Sequence, residues 1–195
     1  MSKTDLSRAE RPKRRRREGM ETPRAKSSPF RERMPDSAKR HIFIRQTVFF
    51  PNRHAPVNTD KFVIEDPAAL TEEIKNRALE MGADVVGIAE YIPDLLFEDA
   101  EPRDHKCVIV FGMAMKYDYM VDIGPNSQAE VHRVYYELDS IGSRLSHHIG
   151  AYGYDSRTQP NTSDFSLPAL AWLARPAPSR PGRLGRTSHH GRRGP

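Results

Sequence analysis

From Asp66 onward the chain alternates between two hydrophobic rhythms. Leu70, Ile74, Ala78 and Met81 recur at helical spacing after Asp66-Pro67 and before Gly82. That spacing predicts a helix over about 68–81, with Asp as N-cap, Pro at its first position and Gly as its stop. "ADVVGIA" follows as a short, uninterrupted β-branched run and predicts a buried strand. Ile92 to Glu101 reads as a connection with a Pro-Asp turn. "HKCVIVFGMAM", residues 105–115, is the strongest strand signal in the chain, and its apolar continuity fits a strand covered on both faces. "SQAE" at 127–130 has the form of a capping box, with Ser127 as N-cap. Behind it Val131, Val134, Tyr135, Leu138, Ile141, Leu145 and Ile149 form one stripe that ends at Gly150. "AYGYD" then predicts a third short strand, and a last helix begins near Pro168. Alternating strands and helices place the chain in the α/β class.

Outside this region the rhythm is lost. Residues 41–65 mix apolar side chains with Pro and Asn breaks and read as an extended segment over a domain surface, with short strands at 42–49 and 61–64. Residues 1–40 and 175–195 have the Arg, Ser, Pro and Gly content of disordered basic tails. The organisation expected is therefore a 1–40 arm, a 41–65 extended segment, a 66–174 domain and a 175–195 tail.

Charge sharpens this division. Residues 1–40 hold fourteen Lys or Arg against six Asp or Glu, and residues 175–195 hold six Arg and no acid. The whole chain is +5, so residues 41–174 carry −9. The basic character belongs to the ends, which argues against a nucleic-acid face on the domain itself. The Lys13–Arg17 cluster leaves a second function class open: a small non-enzymatic binding protein whose basic arms contact nucleic acid or a partner. The single cysteine, Cys107, excludes an internal disulfide and multi-cysteine metal sites, and its apolar setting predicts a small buried hydrophobe. There is no run of 18 apolar residues and no signal-like segment, so a cytoplasmic location is expected.

Among candidate groups, His147 and His148 point about 100° apart on a helix and do not share one metal; both read as solvated. No metal site is expected. "KYDYMVDIGP" places Tyr117 and Asp118 at the end of the strongest strand, the edge where open α/β sheets bind ligands.

Three segments, in order, resemble the corrinoid-binding half of reductive dehalogenases and their relative, epoxyqueuosine reductase. They are "DPAALTEEIKNRALEMGADVVGIAEYIPD", "HKCVIVFGMAMKYDYMVDIGP" and "IGAYGYDSRTQPNTSDFSLPALAWLA", together covering about residues 66–174. The resemblance implies a partial nitroreductase-like, corrinoid-binding domain and cobalamin as cofactor. It implies Tyr135 as the catalytic proton donor to the carbon losing halide, with Tyr136 in its place if the register slips by one. It places Asn161, with Tyr117 and Asp118, at the substrate or corrinoid pocket. "VHRVYYELD" lacks the acidic Asp-Tyr-His context of epoxyqueuosine reductase, so the dehalogenase side and a small organohalide substrate are favoured.

The family continues with iron–sulfur motifs that need clustered cysteines, and this chain has no such cluster. Where a "GLGELGR"-like stretch is expected, "RPAPSRPGRLGRTSHHGRRGP" stands instead, an acid-free mixture that off-frame reading of a GC-rich gene yields. The expectation is a frameshift just after Ala174 and a truncated fragment that binds cobalamin weakly and is inactive alone. Translating the downstream DNA in the other two frames tests this.

Overall fold

The structure, a computed structural model, describes residues 30, 32–97, 100, 102–160 and 164. Its elements are α1 (Asp36–Ile44), α2 (Pro67–Glu80), β1 (Val85–Glu90), β2 (Cys107–Gly112), the short α3 (Tyr117–Met120) and the long α4 (Pro125–Ala151). The described part is mixed α and β, with one two-stranded antiparallel sheet.

α2 starts where Asp66 caps it. The Asp66 carboxylate accepts from the amides of Ala68 (2.9 Å) and Ala69 (3.0 Å), and Pro67 occupies a position with no amide to lose. It ends at Gly82, whose φ of 105° favours a residue without Cβ. Ile74 and Ala78 are buried with Ala83, Ile141 and Leu145, and Val86, Ile88, Ile109 and Phe111 pack against them. The opposite face of the sheet carries Val108 and Val110, which meet a second cluster of Tyr91, Leu96 and Ala100. β2 thus has apolar contacts on both faces, but neither strand is the buried one expected and β2 is not central. No residue of β2 is buried, β1 buries only Gly87, and among the described residues β1 is the only strand paired with β2.

Several expectations are corrected. Residues 42–49 are not a strand: α1 runs through Ile44 and continues as a π-helical turn, Arg45–Phe49. Its buried side is Ala38, Ile42 and Arg45, a stripe that contains an arginine, and Met34 joins it from the bend before the helix. The arm expected to be disordered through residue 40 is therefore helical from Asp36. Residues 61–64 form no strand, but the surrounding segment does lie over the domain as a strap. Asn58 donates to the Gly150 carbonyl (2.9 Å), Phe62 to that of Tyr152 (3.0 Å), and Thr158 donates to that of Arg53 (3.0 Å). "AYGYD" is not a third strand: α4 runs to Ala151 and closes in a turn at Gly153, φ 82°. Ser127 is not the N-cap. Pro125 starts α4 two residues earlier, and the Ser127 hydroxyl accepts from the Gly124 amide (3.0 Å). Cys107 is exposed rather than buried. The expected helix near Pro168 and the 175–195 tail lie outside the described residues.

The strap approaches α4 most closely at Gly150. A Cβ there would stand 2.3 Å from the Pro56 carbonyl oxygen, a contact only displacement of backbone relieves. Gly150→Ala is expected to destabilise the protein by about 1–3 kcal/mol, the usual cost of overpacking, read as a lower thermal midpoint with unchanged far-UV circular dichroism at 10 °C. An unchanged midpoint would mean that the strap is not held against the helix.

Candidate functional site

α4 carries both candidate tyrosines, and each is claimed by a different part of the α1 unit. The Arg45 guanidinium lies over the Tyr135 ring at 4.8 Å and over Phe50 at 5.2 Å. The same guanidinium donates from Nε to Asp139 Oδ2 at 2.6 Å, one α4 turn beyond Tyr135. Both partners are buried, their side chains 7% and 9% exposed. Burial pushes the Asp139 carboxyl above the ordinary range, while Arg45 and, more weakly, Arg53 pull it back. The His132 ring meets Tyr135 edge-on at 6.4 Å. Tyr135, expected on the apolar stripe, is thus drawn to a buried charge, and Val134, Ile141 and Leu145 fill the core instead.

Tyr136 stacks on His41, with ring centroids 4.6 Å apart and planes 20° from parallel, and Phe49 leans on it at 5.6 Å. Burial holds the His41 imidazole below its ordinary pKa; Glu137 opposes this, and Arg133 and Arg40 add to it. An open groove of about 490 Å³ runs beside this stack, lined by Asp36, Ser37, Arg40, His41, Ile44 and Tyr136. Of the two tyrosines, Tyr136 borders it and Tyr135 does not.

Tyr117 and Asp118 do leave the end of β2, on α3, and both are exposed, Tyr117 by 80%. The loop before them is anchored by Glu130, whose Oε1 accepts from the Lys116 amide at 2.8 Å. Arg133 grips the same carboxylate with two nitrogens, at 2.7 and 2.8 Å. Asn161 lies outside the described residues.

No protein-family model matches this chain, and no curated protein does.

The histidines diverge as the helix geometry requires. His147 donates to the Ser143 carbonyl (2.8 Å). His148 was expected in solvent, but it is partly buried and pairs with Glu73 (2.8 Å) across to α2. Among the described residues no three His, Cys, Asp or Glu gather to hold a metal ion, and no helix is long and apolar enough to cross a membrane.

Sequence reasoning missed Arg45, Asp139, His41 and Glu130. A signal for the first existed: one arginine inside "HIFIRQTVFF" is a charge in an apolar run, and such a charge needs a distant partner once buried.

Proposed function

We propose that this chain is a piece of a reductive dehalogenase-like, corrinoid-dependent oxidoreductase that removes halide from an organohalide, and that it is inactive alone. The observation that carries the reading is the state of Tyr135. Its ring is held at mid-helix between the Arg45 guanidinium at 4.8 Å and the His132 ring at 6.4 Å. A proton donor needs a ring fixed in place. The order helix, strand, strand and long helix supports the reading, whereas the Gly-Tyr strand that the resemblance expects after them is a helix end and turn.

The described residues do not build a corrinoid cradle. Arg45 covers one face of Tyr135, Tyr117 stands in solvent, and the groove at Tyr136 is open. The reading assigns most of that pocket, and the nitroreductase-like remainder of the fold, to residues beyond the described ones. With one cysteine the chain supplies no 4Fe–4S ligand set, so the electrons must come from elsewhere.

Titration with hydroxocobalamin, followed by amide NMR, tests this. Weak, saturable shifts at Tyr117, Asp118 and Tyr135 are expected, and Tyr135→Phe should leave stability unchanged, since its hydroxyl makes no hydrogen bond among the described residues. A tight stoichiometric complex would contradict the truncated reading. No shift at millimolar corrinoid would contradict the corrinoid reading. Salt-sensitive retention on DNA in its place would favour the basic-arm binding protein.

A further inference from the structure

β2 has the apolar composition of an interior strand and contacts on both faces, but among the described residues only β1 pairs with it. Its register with β1 pairs Val85 with Gly112 through Glu90 with Cys107, without a bulge. The Tyr91 amide donates to the Lys106 carbonyl at 3.0 Å, which fixes the alternation. Residues 106, 108, 110 and 112 turn their backbone groups toward β1, and Cys107, Ile109 and Phe111 turn theirs outward. Among the described residues those outward groups bond to nothing. Ile109 and Phe111 pack on one face of the sheet, Val108 and Val110 on the other. Between Cys107 and Gly112 there is no charge, proline or bulge, the devices that normally close an edge to further pairing.

We propose that the outer edge of β2 is the surface on which two copies of this chain join, antiparallel about a two-fold axis at Ile109. The edge is complementary to itself in that register. The three outward residues are symmetric about Ile109, so Ile109 faces Ile109 of the second copy and Cys107 faces Phe111. Lys106 then lies opposite Gly112, and Asp104 opposite Ala114, so no like charges meet. A parallel pairing in register would set Lys106 beside its own copy. The two-fold arrangement extends a two-stranded sheet, which is marginal by itself, to four strands.

The test uses the wild-type chain and Cys107→Pro. The Cys107 amide points away from β1, so proline at this first strand position removes an intermolecular donor and leaves the β1 ladder intact. Wild type is expected to double its mass by light scattering as concentration rises. Its Cys107, Ile109 and Phe111 amides should then exchange about tenfold or more slowly with deuterium, while the outer amides of β1 (Val86, Ile88 and Glu90) stay unchanged. Cys107→Pro should remain monomeric at the same concentrations. The proposal is overturned by a wild-type monomer throughout, or by a dimer with unchanged exchange at the three amides. Protection of those amides already present in the monomer, where the chain's own residues would cover the edge, also overturns it. Should Cys107→Pro not fold, the wild-type exchange data decide.

Discussion

Arg45→Ala is expected to destabilise the protein by about 3–5 kcal/mol, because it leaves the Asp139 carboxylate desolvated without the guanidinium that pairs with it, and with the weaker pull of Arg53. The pair is nearly solvent-free, with side chains 7% and 9% exposed, so neither screening nor hydration softens the loss. The substitution also removes the cation from over Tyr135 and Phe50. The deficit should depend on pH. Burial already raises the Asp139 pKa, and without Arg45 it rises further. A group raised in the folded state takes up a proton on folding as pH falls, and once neutral it no longer needs a cation. The gap between wild type and Arg45→Ala is therefore full at pH 7 and narrows as pH falls toward the ordinary aspartate value. Urea unfolding at pH 7 and pH 4 measures both. The double substitution Arg45→Met with Asp139→Leu should recover most of the loss, since a buried pair replaced by apolar groups is close to neutral. A single substitution costing under about 1 kcal/mol would mean that the pair is hydrated.

That ion pair also explains what the sequence concealed. α2, β1, β2 and α4 were legible because their signals are local: Asp66 bonds amides two and three residues ahead, and the runs behind it declare their own periods. The helix at 36–44 and its π turn were not legible. Their β-branched and aromatic residues read as strand, and the buried stripe of Ala38 and Ile42 is completed by an arginine. The apolar run around Arg45 hints at its burial, but nothing within a few residues identifies the partner, which lies 94 positions away. The same gap affected the site. The sequence pattern puts Tyr135 and Tyr136 on a helix, as they are, but the groups that hold them, Arg45 and His41, come from a stretch whose pattern reads as extended and that is helical. The α4 start failed for a smaller reason: Pro125 suits the first helical turn better than Ser127 suits a cap. That frees Glu130 from capping and lets it turn inward to Lys116 and Arg133.

Glu130 then becomes an acid-sensitive point of the fold. Its side chain is 4% exposed and gripped at both oxygens by Arg133. Arg133 lowers its pKa most, burial works in the opposite direction, and the Lys116 amide adds to the lowering, for a net fall from 4.5 to about 2. A carboxylate depressed in the folded state stabilises above its unfolded value. That contribution is fully present above about pH 4.5 and is lost as pH falls toward about 2. A shift of this size corresponds to on the order of 3 kcal/mol. Glu130→Gln keeps the shape but not the charge, so it should lose about that much at pH 7 and little at pH 2. Its stability should lack the decline between those limits that wild type shows. The local consequence is at the end of β2. The Lys116 amide loses a charged acceptor, so amides from Lys116 to Met120 should exchange faster in the variant while those of β2 do not. Because that segment carries Tyr117 and Asp118, acid is expected to loosen the candidate pocket residues before it unfolds the sheet. Parallel acid limbs for wild type and Glu130→Gln would show that the Glu130 carboxylate does not carry this dependence.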